Sequence, residues 1–157
     1  MQITRATDYA VRVAVQLATL PKGKKAQLAA LEVATGVRGS FLSKVLQRLV
    51  HAGIVTSHRG TGGGFCLRPQ AEKTTLLQLI EAVEGPTLLN RCLIEGLSCD
   101  RKPWCVVHPV WQRAQAALTD VLAAVTVAEL ARETTATLAE QTRRQRTQDG
   151  LIRLAKG

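Results

Sequence analysis

Three of the four cysteines of this 157-residue chain lie within seventeen residues, between Cys92 and His108. Cys99 and Cys105 complete the group, and the spacing is C-x6-C-x5-C-x2-H. Thiolate and imidazole are soft ligands that hold transition metals and iron–sulfur centres. The pattern therefore indicates a metal or redox centre in a loop of about 86–108, which we call the cysteine loop.

The same residues leave other chemistries open. Three cysteines and a histidine form a common structural zinc set, but such sites usually pair cysteines two residues apart, and that pairing is absent from this sequence. A thiol sensor without metal is the third reading. Cys66 lies outside the group and is expected to be a small buried apolar residue.

Composition narrows the class of protein. The apolar fraction is 46% and the aromatic fraction 3%, which favours a helical core of Leu, Val and Ala. The net charge is +9: residues 1–90 hold 11 Lys/Arg against 5 Asp/Glu, and residues 91–157 hold 10 against 7. Such a basic excess favours a polyanionic partner such as nucleic acid. We expect a cytoplasmic protein without a membrane span, because no apolar run approaches about 20 residues.

Periodicity in the first half predicts helices at about 4–20, 26–35 and 41–52, then a strand at 54–59 that returns at 65–67 after a glycine turn. We expect Ser40 to be the N-cap of the third helix and Gly53 to follow its end. The apolar side chains that this helix is expected to bury are Phe41, Leu42, Val45, Leu46, Leu49 and Val50.

The second half is predicted to contain a helix at about 75–84 after an N-cap at Thr74 and a long apolar-striped helix at 109–125. A capping box at Thr126 and Glu129 predicts a further short helix. We expect the domains to be a winged helix-turn-helix domain at 1–85, the cysteine loop at 86–108, a dimerisation helix and C-terminal helix at 109–140, and a disordered basic tail at 141–157.

Three helices followed by a hairpin predict a mainly α fold with a small β-hairpin, the winged helix-turn-helix plan, plus a long dimerisation helix. In that plan the third helix enters the major groove of DNA and the hairpin is the wing. The candidate DNA-binding residues are Arg38, Ser40, Ser43, Lys44, Gln47, Arg48, Arg59 and Gly60. We expect no enzyme, because neither a Gly-x-Ser-x-Gly elbow nor a phosphate loop is present in the sequence.

The segments that carry a family resemblance are Gly36-Val37, Phe41–Leu49, Ala52–Val55, Arg59–Phe65 and Leu76–Gly85, together with the opening Met1–Ala10. In these the chain resembles the Rrf2 family of bacterial transcription regulators over about 1–130. The resemblance implies a homodimer on palindromic or partly palindromic promoter DNA. It also implies an iron–sulfur cluster, 2Fe-2S or 4Fe-4S, held by Cys92, Cys99 and Cys105.

Two residues match the fourth cluster ligand of different branches of the family. His108 stands where IscR-like members have a histidine, three residues after the last cysteine. Asp8 stands where NsrR-like members supply an aspartate from the other subunit. The first gap between cysteines is six residues here and usually five in those members, which leaves the cluster type open.

The function implied is a dimeric DNA-binding regulator, with repression as the expected mode, that senses iron–sulfur, redox or nitric oxide status. The alternative is a cluster-free family member regulated by thiol oxidation, a metabolite or a partner protein.

Overall fold

The computed structural model describes residues 3–97 and 99–154 and is mainly helical, with one β-hairpin. Short 3-10 turns lie at Ala71–Lys73, Arg91–Leu93 and Lys102–Trp104. In chain order the larger elements are α1 (Arg5–Ala18), α2 (Leu28–Thr35), α3 (Gly39–His51), β1 (Val55–His58), β2 (Gly64–Leu67), α4 (Leu76–Glu84), α5 (His108–Ala123) and α6 (Val127–Leu154).

Helix α1 lies at the centre of the core, where it packs against α2, α3, α4 and α6. Its buried side chains recur every three or four residues, so they line one face of the helix. The apolar residues of this core include Ala10, Val13, Ala14, Leu17, Leu31, Leu42, Val45, Leu46, Leu49, Leu79 and Val127. The predicted fold class is thus confirmed: the chain forms a winged helix-turn-helix body with its own core.

The turn between α2 and α3 differs in detail from the prediction. Gly36 ends α2 with φ +68°, a left-handed conformation that glycine adopts without strain. Helix α3 then begins at Gly39, and its N-cap residue is Arg38 rather than Ser40. The Ser40 prediction is wrong because the carboxylate of Glu32, on α2, accepts the Gly39 N–H and replaces a local cap.

The buried face of α3 is narrower than predicted. Leu42, Val45, Leu46 and Leu49 are buried, as expected. Phe41 is 49% exposed and packs edge-on against the Tyr9 ring, with centroids 5.8 Å apart; Val50 is exposed as well. The helix packs on one side only, so apolar residues at the edges of its stripe stay in contact with water.

The wing is an antiparallel hairpin in which Val55 pairs with Leu67 and His58 with Gly64. Two backbone hydrogen bonds of 2.8 Å join Phe65 to Ala26, just before α2. At Gly64 a Cβ atom would lie 2.6 Å from the Ala26 carbonyl oxygen, so this close approach requires glycine. The hairpin predicted from the glycine turn is confirmed.

Helix α4 begins one residue later than predicted, with Thr75 as its N-cap, because Gln78 completes a capping box with Thr75. The predicted capping box of α6 is confirmed: the Thr126 N–H donates to Glu129 Oε2 at 2.8 Å.

Helix α6 is longer than predicted. The expected short helix followed by a disordered tail is wrong for residues 141–154, which continue the helix as far as Leu154. Many of its exposed residues are strong helix formers, and Glu140 pairs with Arg144 one turn on at 2.5 Å. The last three residues of the expected tail, 155–157, lie outside the described part of the chain. No helix among the described residues is long and apolar enough to cross a membrane.

Candidate metal centre and nucleic-acid interface

The three cysteines of the loop lie at different depths. Cys92 is half-buried in the 3-10 turn Arg91–Leu93, Cys99 is exposed, and Cys105 is half-buried directly after the turn Lys102–Trp104. All three are free thiols, as is Cys66. Among residues 3–97 and 99–154, no three His, Cys, Asp or Glu side chains lie close enough together to hold a metal ion. The structure thus places the predicted thiol ligands in one loop without gathering them around a point.

The burial of His108 is the least expected feature of this region. His108 is the first residue of α5 and is only 8% exposed. Its backbone N–H donates to the Cys105 carbonyl oxygen at 3.3 Å. Neither Nδ1 nor Nε2 has a hydrogen-bond partner within the described structure. An unpaired buried polar group costs about 1–3 kcal/mol, so such a group in a folded protein usually has a partner, such as water, a ligand, an ion or a second chain. A buried imidazole three residues after Cys105, at the end of a loop that carries three free thiols, supplies the residue types of a soft metal centre.

Asp8, the other candidate ligand, has a partner already. It lies in the first turn of α1 and forms an exposed ion pair with Arg12, one helical turn further on. The distance from Asp8 Oδ2 to Arg12 Nη2 is 2.8 Å. A bond to a metal would have to replace this pair.

Gln115 hydrogen-bonds the start of the cysteine loop to α5. Its side-chain oxygen accepts the Leu89 N–H at 2.9 Å, and its Nε2 donates to the Thr87 carbonyl oxygen at 2.8 Å. The Thr87 N–H in turn donates to Glu81 Oε1 on α4 at 3.2 Å. No sequence pattern distinguishes this glutamine, because its partners lie 26 and 28 residues away.

Glu84 joins the end of α4 to the N-terminal segment. Its Oε1 accepts the Thr4 N–H at 3.1 Å and the hydroxyls of Thr4 and Thr7 at 2.5 Å each. These bonds, the Thr4 hydroxyl first and the Thr7 hydroxyl second, hold the pKa of Glu84 below its ordinary value. The neighbouring Val83 carbonyl oxygen accepts a 3.2 Å hydrogen bond from Arg48 Nη1, which ties α4 to α3.

The candidate DNA-binding side chains lie mainly on the exposed face of α3. Seven of the eight candidates are exposed: Arg38, Ser40, Lys44, Gln47 and Arg48 on or before α3, and Arg59 and Gly60 at the hairpin turn. Ser43 is half-buried, and its hydroxyl donates to the Gly39 carbonyl oxygen at 2.8 Å. A helix with an exposed basic face beside a basic hairpin suits a major groove and the adjacent phosphates.

Comparison with known proteins now decides the family. The model of the Rrf2 family, described as an iron-dependent transcriptional regulator, matches residues 3–133. The chain belongs to the Rrf2 family. It is therefore a DNA-binding transcriptional regulator, as the sequence resemblance predicted.

Individual relatives agree with this assignment. The chain is 30% identical over 130 residues to the HTH-type transcriptional regulator IscR of Escherichia coli K12, covering 83% of this chain and 80% of that protein. It matches CymR, the global cysteine regulator of Bacillus subtilis, with a TM-score of 0.69 and 22% identity over 85% of this chain and 98% of the other. The oxidized form of Staphylococcus aureus CymR matches with a TM-score of 0.63 and 26% identity, over 83% and 96%.

Proposed function

We propose that this Rrf2 regulator is a homodimeric repressor that reports iron–sulfur, redox or nitric oxide status through an iron–sulfur cluster. The thiolates of Cys92, Cys99 and Cys105 and the imidazole of His108 would hold the cluster. The observation that carries the proposal is the buried His108 ring, whose two nitrogens have no partner in the described structure and which follows Cys105 by three residues.

The donor set suits a sensor better than an electron carrier. A bound cluster would supply reversible redox chemistry and reactivity toward nitric oxide, with a potential set by its ligands. Exchanging one thiolate for an imidazole weakens the ligation, which makes the centre easier to lose. Asp8 stays the alternative fourth ligand, although it would first have to release Arg12.

A continuous set of contacts leads from the cysteine loop to the DNA-binding helix. Gln115 holds Thr87, Thr87 bonds to Glu81 on α4, and the α4 carbonyl of Val83 accepts a hydrogen bond from Arg48 on α3. A rearrangement of the loop would therefore be transmitted through α4 to Arg48, in the last turn of α3. Contiguity of this kind supports coupling between the two sites.

The uncovered face of α5 supports dimerisation. Its apolar stripe includes Val110, Trp111 and Val121, all exposed in the single chain. A second copy covering this stripe would relate the two α3 helices by a two-fold axis. Two-fold related helices read half-sites about 34–36 Å apart on one side of the DNA, so palindromic or partly palindromic promoter sites are expected.

Anaerobic purification tests the cluster directly. We expect brown protein with iron and acid-labile sulfide, and we expect Cys92→Ser, Cys99→Ser or Cys105→Ser to abolish the visible absorption. Cys66→Ser, outside the loop, is the matched control and should keep it. Colourless wild-type protein after cluster reconstitution, or zinc bound in stoichiometric amount, would overturn the proposal.

The fourth ligand is tested by comparing two single variants. His108→Ala should change the cluster spectrum and speed its loss in air, whereas Asp8→Ala should leave both unchanged. The reverse result would assign the ligand to Asp8. If neither variant alters the spectrum, both assignments fail.

A cluster-free thiol regulator is the second candidate. It is favoured by the exposed, free Cys99 and by the fact that the loop thiols do not converge among the described residues. Likeness to a regulator solved in an oxidized form supports it too. If metal-free protein binds promoter DNA and hydrogen peroxide abolishes this binding only when Cys99 is present, the thiol reading replaces the cluster.

A further inference from the structure

An open cavity of about 680 Å³ lies against the hairpin, and its lining residues are distant from the cysteine loop in sequence. Its walls come from the end of α1, the turn before α2, the two wing strands and the start of α6. Cavities of about 300–1,000 Å³ suit small organic molecules, and they are too large for a single ion. None of the residues proposed above to hold a cluster or to contact DNA lines this cavity.

The lining of the cavity combines an apolar floor with a basic rim. Apolar side chains from α1, the following turn and α6 form the floor: Leu17, Leu20, Pro21, Ala128 and Ala131. The cations on the wall are Lys22, Lys24, Lys25, Arg68 and Arg132. Glu72 is the one carboxylate that lines this described cavity, and its Oε1 lies 3.8 Å from Lys22 Nζ. The remaining cations give the rim a net positive charge.

The wing strands add a polar pair to the same cavity. His58 and Cys66 lie on β1 and β2 with Nε2 and Sγ 3.5 Å apart, and both line the cavity. Either group can offer a hydrogen to an acceptor in the cavity, depending on the histidine tautomer. The pair also places a thiol, which can be labelled chemically, inside the wall.

We propose that this cavity binds an amphipathic organic anion, such as a long-chain carboxylate, with its apolar body on the floor and its anionic head group at the basic rim. The apolar floor selects against a bare inorganic anion, because such an ion would leave the floor uncovered. The excess of cations selects against neutral or cationic molecules of the same shape. This inference is independent of the cluster and goes beyond the proposed function.

Cys66 provides a site-specific readout in the full wild-type chain. Decanoate is the probe, and the rate of alkylation by iodoacetamide is followed for each cysteine by peptide mass spectrometry. With decanoate at about ten times its dissociation constant, roughly a tenth of the sites stay open, so alkylation of Cys66 should slow about tenfold. Alkylation of Cys92, Cys99 and Cys105 should not change, which makes them internal controls.

Probes and variants separate a built site from general apolar binding. Decylammonium and decan-1-ol have the same body without the negative charge and should protect Cys66 far less. Arg132→Gln should weaken protection by decanoate, while Arg143→Gln, an exposed arginine further along α6, should not. Ala128→Met narrows the cavity and should abolish protection, whereas Ala136→Met on the exposed part of α6 is its matched control.

Two results would overturn the proposal. One is equal protection by decanoate and decylammonium, which would indicate apolar adsorption without charge selection. The other is unchanged alkylation of Cys66 with all three probes in folded wild-type protein. Neither result bears on the cluster, which is tested by iron, sulfide and colour, so the two proposals can fail separately.

Discussion

The winged-helix body, residues 5–84, and helix α5 bury their apolar side chains to very different extents. In the body, Val13, Leu42, Leu46 and Leu79 are almost completely removed from water. In α5 only His108 is buried, while large apolar side chains along the helix remain exposed. The body buries its apolar face within one chain, whereas α5 begins with an imidazole that has no hydrogen-bond partner among residues 3–97 and 99–154 and exposes an apolar stripe along its length.

The contrast suggests that the body determines the stability of the chain, whereas α5 is the region available for regulation. Contacts in the body set the free energy of unfolding, because apolar burial is the main favourable term in folding. Helix α5 packs on α4 and bonds to the loop through Gln115, and in our proposal its remaining surface binds a cluster at His108 and a second copy along the stripe. Substitutions in the two regions should therefore change different measurements.

The largest effect is expected from a charge placed on the α5 stripe. Val121 is 67% exposed in the single chain, so Val121→Glu should change the stability of the monomer by no more than about 0.5 kcal/mol. If a dimer covers the stripe, the variant should become monomeric and lose about 10²- to 10⁴-fold in affinity for promoter DNA, because two linked half-site contacts become one. Sedimentation and a DNA titration measure the two properties.

Gln112→Glu is the matched control, since it adds the same charge to the opposite, exposed side of α5. It should leave both the dimer and the DNA affinity unchanged. A Val121→Glu protein that is monomeric yet binds DNA as tightly as the wild type would contradict the dimeric model.

A core truncation should have the next largest effect, now on stability. Leu46 is fully buried on α3, so Leu46→Ala should lower the free energy of unfolding by about 2–5 kcal/mol. Val110→Ala on α5 should cost under about 0.5 kcal/mol, because that side chain is half exposed in the monomer. Urea unfolding of both variants in the monomeric Val121→Glu background makes the comparison. Similar losses for the two would mean that α5 is part of the core.

How far the sequence predicts the molecule also differs between the two regions. Helical and strand periodicity predicts the elements of the body, and the local capping box at Thr126 and Glu129 is found as expected. Errors arise where burial depends on a neighbour's position: Phe41 and Val50 have the residue type of a core but lie at the edge of the α3 stripe.

Contacts between distant residues carry no local signal. The carboxylate of Glu84 meets Thr4 across 80 residues, and Gln115 meets Thr87 across 28. The cysteine spacing predicts a ligand set by residue type, but it does not predict that the His108 ring is buried and lacks a hydrogen-bond partner in the described part of the chain. Tertiary packing determines these features, and a single sequence does not reveal it.

Two residues of α3 should separate sequence readout from general affinity. Gln47 and Lys44 are both exposed on the same helix. Gln47→Ala should cost about 1–3 kcal/mol on the preferred site and relax the sequence preference, because a side chain at a base edge reads sequence. Lys44→Ala should weaken binding to all duplexes alike and lower the salt slope by about one, as loss of a phosphate contact does. Titrations of specific and scrambled duplexes at several salt concentrations distinguish the two outcomes, and equal salt slopes for both variants would contradict the assignment.

The smallest effect concerns acid stability and tests the junction between the end of α4 and the N-terminal segment. Hydrogen bonds from Thr4 and Thr7 hold the pKa of Glu84 below its ordinary value of 4.5 in the folded chain. A lowered folded pKa stabilises the protein above the unfolded pKa, and this contribution is lost as the pH falls through the folded pKa. Glu84→Gln should therefore lose stability at pH 7 but show a shallower decline below about pH 4.5 than the wild type.

The change in the free energy of unfolding should stay under about 1 kcal/mol, since water screens this exposed carboxylate. Urea unfolding at pH 7 and pH 3 measures it, with Glu133→Gln on α6 as control. If the wild type and Glu84→Gln decline in parallel, these hydrogen bonds do not stabilise the junction.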